Sequence, residues 1–168
     1  ESFQVPQHKE TFVTIATDAE APGIQLQLYY KHPALPSETK EDYKGSLKRT
    51  LYSAMLNQRL DEIRQKPDAP FIYAGTGYGN FVREMDYFSA SAAVTPGKVD
   101  AGLTALILEN ERVAQFGFTE GELERVKKII LNSAERASKE MDKAESSSIV
   151  GRYVQHYLSG KFAESQLW

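Results

Sequence analysis

The chain has 168 residues, 41% of them hydrophobic and 26% charged, with a formal net charge of −3. That length supports one domain with a real core, and the interleaving of acidic and basic residues leaves neither the basic stripe of a nucleic-acid binder nor a polybasic membrane patch. The lack of cysteine excludes disulfides, thiolate nucleophiles and cysteine-held zinc, and no apolar run approaches the roughly 20 residues needed to span a bilayer as a helix.

The polar leader ESFQVPQHKE (1–10) has no methionine at its start and lacks the charged-then-apolar build of a signal peptide, as expected of a segment cut from a longer chain. Residues 11–17 (TFVTIAT) and 24–32 (IQLQLYYKH) alternate apolar and polar side chains, and the Pro22-Gly23 turn between them predicts an antiparallel pair. Thr39 and Asp42 fit a capping box that opens a helix. Its apolar stripe is Tyr43, Leu47, Leu51, Met55, Leu60 and Ile63, and it stops near Pro67. Two strand-like segments follow, FIYAGTGYGNF (71–81) and MDYFSASAAVTPG (85–97). Asp100 is expected to cap the next helix, with Leu103, Leu106, Ile107, Asn110, Val113 and Ala114 inward and Gly117 as its stop.

FTEGELERV is the sharpest local signal. Thr119 and Glu122 have capping-box spacing, and Phe118 is placed to staple onto Leu123; Val126, Ile130, Ala134, Ala137 and Met141 would continue the buried face. A last helix is expected to turn Ile149, Tyr153, Val154, Tyr157 and Leu158 inward and to end at Gly160. The order ββα-ββ-ααα, without repeated βαβ crossovers, predicts an α+β fold: an antiparallel sheet with helices packed on one face, forming a single domain over 1–168.

Gly75, Gly77 and Gly79 are the candidates for function. A phosphate cradle needs a glycine turn feeding a helix N-terminus; here a second strand-like segment follows, the spacing is G-x-G-x-G, and no Lys-Ser/Thr pair comes after it. On a strand, residues two apart share a face, so the glycines would line up with Phe71, Tyr73 and Phe81, opposite Ile72, Ala74, Thr76, Tyr78 and Asn80. Such a bare strip suits the close approach of another backbone; equally, a helix of the same domain could pack there, or the glycines could form bulges. His8, His32 and His156 each stand alone, with no second ligand three or four residues away, so no zinc is expected within the chain itself. The carboxylate pairs Glu122 with Glu124 and Asp61 with Glu62 are expected on exposed faces, and no catalytic constellation emerges.

The segments TKEDYKGSLKRTLYSAMLNQRLDEIR, YFSASAAVTPGK and above all GFTEGELERVKK, followed by YVQHYLSG, resemble the second, non-catalytic domain of the pitrilysin/insulinase family of zinc metallopeptidases, over residues 10–160. The resemblance implies one of several α+β domains enclosing a chamber, with an inverted His-x-x-Glu-His zinc motif on another domain of the parent chain and no catalytic or metal residue here. It implies as partners the other domains of the same chain and a peptide substrate, with neither nucleic acid nor membrane insertion. By position, the strand containing Gly75, Thr76, Gly77, Tyr78 and Gly79 resembles the family exosite that anchors a peptide by strand addition. The family pattern continues past Gly160, so residues 161–168 read as a truncated end. The resemblance to bacterial members favours the periplasm, and the alternative parent is a proteolytically inactive homologue of the respiratory core-protein type.

Overall fold

Three segments with strand-like side-chain alternation pair in a computed structural model, which describes residues 5–6, 8–82, 84–140 and 146–159. In chain order the elements are β1 (Ile24–Pro33), α1 (Lys40–Arg64), β2 (Tyr73–Val82), β3 (Met85–Val94), α2 (Val99–Phe116), α3 (Glu120–Lys139) and α4 (Ser146–Ser159). They form an α+β fold with an antiparallel sheet. The described residues divide into two compact units, one from those up to Ala34 and Leu56–Gly117, the other from Leu35–Met55 and those from Phe118 onward.

The first unit holds the sheet, in the order β1-β3-β2. β3 lies between its neighbours, with Leu26, Ala92 and Ala74 in one row and Leu28, Ala90 and Thr76 in the next. This even-numbered face carries the core: Ala74, Ala90, Ala92 and Val94 are buried, as are Leu56 and Leu60 of α1 and Leu106 and Val113 of α2. The small alanines let helices lie close to the sheet. Gly102 shows how close, because a β-carbon there would sit 2.6 Å from Cγ1 of Val94 and 3.3 Å from Cδ1 of Leu26.

α1 begins at the expected box: the Thr39 N–H donates to Oδ2 of Asp42 (2.9 Å) and the Asp42 N–H to the Thr39 hydroxyl (3.1 Å). α2 departs from expectation at its start. Its N-cap is Lys98, with no side-chain cap bond, and Asp100 falls inside the first turn, where its charge complements the helix dipole. Its buried face is Gly102, Leu106, Glu109 and Val113, so Ile107 and Ala114 point outward. The face is rotated because Gly102 makes the close approach and Glu109 is drawn in by Arg59, with Arg59 Nη1 3.6 Å from Glu109 Oε1. Gly117 ends α2 at φ 67°, a backbone conformation that glycine adopts without strain.

Residues 11–17 are not a strand. The turn after them forms, with the Ala21 N–H on the Asp18 carbonyl (3.2 Å), yet Phe12, Val13 and Ile15 are exposed and residues 11–17 have no regular structure. Phe12 has one parity while Val13 and Ile15 have the other, so the segment offers no single apolar face to bury.

In the second unit α3 starts as expected. The Thr119 N–H donates to Oε2 of Glu122 (2.7 Å), and the Glu122 N–H returns to the Thr119 hydroxyl (3.3 Å). This box buries Glu122, which corrects its assignment to an exposed face. The Phe118 ring meets Tyr52 edge-on at 5.5 Å. Val126 is buried, whereas Ala134 and Ala137 are exposed, as are Ile149, Tyr153, Val154, Tyr157 and Leu158 of α4, all of which were expected inward. A helical apolar stripe specifies a face but not what covers it, and no described residue covers these. Met141, Gly160 and the His156 side chain lie outside the described residues.

Candidate functional site

β2 is the element on which the glycines fall, and its position decides what they can do. It is hydrogen-bonded to β3 along one side; along the other, no strand lies among the described residues. The glycines are in strand conformation rather than in a turn feeding a helix, so the geometry of a phosphate loop is absent from this stretch. Gly75, Gly77 and Gly79 face the side of the sheet opposite the buried alanines, paired with Ser91, Ser89 and Tyr87 of β3. Thr76 and Tyr78 point the other way, toward the helix-covered side, where the Tyr78 ring lies 5.1 Å from Phe88 and 6.4 Å from His32.

The glycine strip is not uniformly bare. A β-carbon at Gly75 would meet the Tyr73 hydroxyl at 2.9 Å, and one at Gly79 would meet the Tyr87 ring at 2.7 Å, so tyrosines lie over both outer glycines. At Gly77 a β-carbon would meet nothing within 4 Å. The result is a small-residue trough at Gly77, Ser89 and Ser91, with Tyr73 at one end and an aromatic group of Tyr29, Tyr87 and Phe81 at the other. Lys31 lies 5.9 Å from the centre of the Phe81 ring and adds a cation beside that group.

Sequence reasoning missed Asn57. From α1 its Oδ1 accepts the Thr76 N–H at 2.6 Å and the Thr76 hydroxyl at 3.0 Å, while its Nδ2 donates to the Thr76 carbonyl at 3.0 Å. Successive residues of an antiparallel strand turn their main-chain groups to alternate sides. Since both Thr76 groups meet Asn57, they point away from β3, and those of Gly75 and Gly77 point toward it; the Ser91 hydroxyl reaches the Gly75 carbonyl accordingly (3.4 Å). One signal in the sequence marks Asn57: a polar amide directly after Met55 and Leu56 and three residues before Leu60, in the most buried stretch of α1.

At the far end of β2 the Asn80 amide donates to the carbonyls of Val82 (2.9 Å) and Met85 (3.3 Å) and to Oδ1 of Asp86 (3.0 Å), holding the tight connection to β3 beside the bulge between Asn80 and Val82. His8 and His32 each place Nδ1 near a neighbouring carbonyl, Glu10 at 2.7 Å and Pro33 at 2.8 Å. Among the described residues no three His, Asp or Glu side chains converge on a point that could hold a metal ion.

No protein-family model matches the chain. It is 30% identical over 156 residues, 93% of its length, to an Arabidopsis thaliana protein named zinc protease PQQL-like, of which it spans 13%. Among solved structures it resembles the periplasmic protease PqqL from Escherichia coli, with a TM-score of 0.73 and 18% identity over 80% of this chain and 15% of that one. A predicted insulinase family protease from Yersinia pestis is similar at a TM-score of 0.69 and 11% identity, covering 84% of this chain and 31% of that one. At these identities the structures establish the shared fold. The fold, together with the plant relative, defines a protease-family α+β domain. Together, the plant relative and the shared fold support a fragment of a pitrilysin/insulinase-family protein.

Proposed function

We propose that the chain is a non-catalytic domain that helps to enclose and position peptide substrates of a zinc metallopeptidase, with the outer edge of β2 receiving part of the peptide as an added strand. The observation that carries this reading is the sheet order, which leaves β2 at an edge among the described residues, with the open Gly77 position beside it. An added strand gains affinity from main-chain hydrogen bonds, and its side chains fall next to those of the strand it joins. Where the host residue is glycine, large and small guest side chains fit alike, which suits a peptidase of broad sequence tolerance. Tyr73 and the Tyr29, Tyr87 and Phe81 group would bracket the guest with apolar contact area at either end of the trough.

Zinc, and the glutamate that activates its water, belong in this reading to another domain of the same protein, and the remaining domains are the first partners of this one. The names of the relatives, all proteases, favour this over an inactive structural homologue. The periplasmic neighbour favours a periplasmic setting.

The test is the kinetics of the full-length protein carrying Gly77→Val. A 25-residue peptide should lose about three- to tenfold in kcat/KM while an eight-residue peptide is unchanged, because only the longer one reaches β2 and the zinc site together. Equal losses for both lengths would contradict strand addition at this site.

A further inference from the structure

We infer that Asn57 is a gate on the β2 edge: its side-chain amide occupies the place of an incoming strand at Thr76, and a peptide pairs there only by displacing it, a role that rests on the strand-addition reading proposed above. A side-chain amide carries one carbonyl acceptor and one N–H donor group, the same pair that a main-chain peptide unit presents. Asn57 uses both on a single residue, accepting from the Thr76 N–H and donating to the Thr76 carbonyl, as a neighbouring strand would. Its oxygen also accepts from the Thr76 hydroxyl, so three bonds fix the amide in this pose.

The position matters because outward-facing residues recur only every second residue along an edge. Within the stretch Gly75 to Gly79, Thr76 and Tyr78 are the two with that orientation, so Asn57 holds one of the two main-chain anchor points a guest strand would use there. An unpaired edge invites indiscriminate pairing, and a buried N–H or carbonyl left without a partner is unfavourable. Asn57 meets both difficulties at once, satisfying Thr76 while no guest is bound and giving way to one whose backbone offers the same two bonds. Binding therefore exchanges one set of hydrogen bonds for another at Thr76. Affinity must come from the flanking positions, which favours long extended segments over short ones.

A purely structural amide and a gate predict different outcomes when Asn57 is removed. In the structural case, Asn57→Ala lowers stability and leaves peptide affinity unchanged. In the gating case the variant is also less stable, but its exposed Thr76 groups bind an extended peptide about tenfold more tightly, since the guest no longer competes with the amide.

The probe is a fluorescein-labelled decapeptide of alternating threonine and valine with lysine at each end, titrated by anisotropy into the full-length protein. A control peptide is N-methylated at every second residue. Asn57→Asp, which keeps the acceptor for the Thr76 N–H and loses the donor to its carbonyl, serves as the second variant and should fall between wild type and Asn57→Ala.

Tighter binding of both variants, in that order and for the unmethylated peptide alone, is the expected result. If the unmethylated peptide is still preferred but both variants bind it no better than wild type, the gate is overturned and strand addition stands. If methylated and unmethylated peptides bind alike, strand addition itself fails, and the gate with it.

Discussion

The glycines of the helices provide an internal comparison in which one substitution should have opposite signs at two places. Replacing a helical glycine by alanine removes backbone freedom from the unfolded chain and stabilises by about 0.5–1 kcal/mol when the new methyl group has room. At Gly45 of α1 it has room: apart from the helix's own backbone, the nearest atom to a β-carbon is Nη1 of the Arg49 side chain, one turn on, at 3.5 Å, an ordinary contact. At Gly102 of α2 the β-carbon would lie 2.6 Å from Val94 Cγ1, with Leu26 at 3.3 Å and the Pro70 carbonyl at 3.4 Å.

Val94 is buried and β-branched, so it cannot swing aside, and overpacking of this kind costs about 1–3 kcal/mol. The clash outweighs the propensity gain, leaving Gly102→Ala destabilised by roughly 1–2 kcal/mol. For a chain of this length 1 kcal/mol moves Tm by about 2–4 °C, so Gly102→Ala should melt about 2–8 °C lower and Gly45→Ala about 1–4 °C higher. Thermal melts followed by circular dichroism, checked by urea midpoints, measure both. If Gly102→Ala were as stable as wild type, the close seating of α2 on the sheet would be wrong.

The capping boxes offer two further tests. Thr119→Ala removes the acceptor for the Glu122 N–H and should destabilise by about 1–2 kcal/mol, whereas Thr119→Ser should retain most of the stability; urea unfolding distinguishes them. Asp42 is held below its ordinary carboxyl value of 3.8, first by the Thr39 hydroxyl and next by the Thr39 backbone N–H. Because the folded-state value is depressed, the contribution of Asp42 is present above 3.8 and is lost as pH falls through the folded value. Thr39→Ala removes the hydroxyl, so the Asp42 carboxyl should titrate closer to 3.8 in a carbon-detected NMR titration, and an unmoved midpoint would contradict the assigned cause.

Legibility in the sequence followed locality. Both boxes could be read because a cap needs only two side chains three residues apart, and Gly117 because a left-handed stop is a property of one residue. β2 and β3 were visible in their composition, and the shared face of the glycines followed from the strand period alone. What the sequence hid was set by distant residues. The rotation of α2 depends on Gly102 meeting Val94 and on Glu109 meeting Arg59, neither of which is visible in a helical wheel. Residues 11–17 read as a strand by alternation, but the pattern is imperfect: Phe12 and the adjacent Val13 have opposite parity, and these side chains stay exposed. The tyrosines over Gly75 and Gly79 depend on rotamer and register, and Asn57 meets Thr76 across nineteen residues of sequence.

Strand addition to β2 is tested most directly by where a bound peptide lies. Amide hydrogen exchange of the full-length protein, with and without the threonine-valine decapeptide, resolves the edge residue by residue. The prediction is slower exchange at Ala74 and Asn80, which share the orientation of Thr76, with little change at Gly75 and Gly77, whose amides already face β3. Protection confined to other elements, or none along β2, would contradict strand addition to this edge.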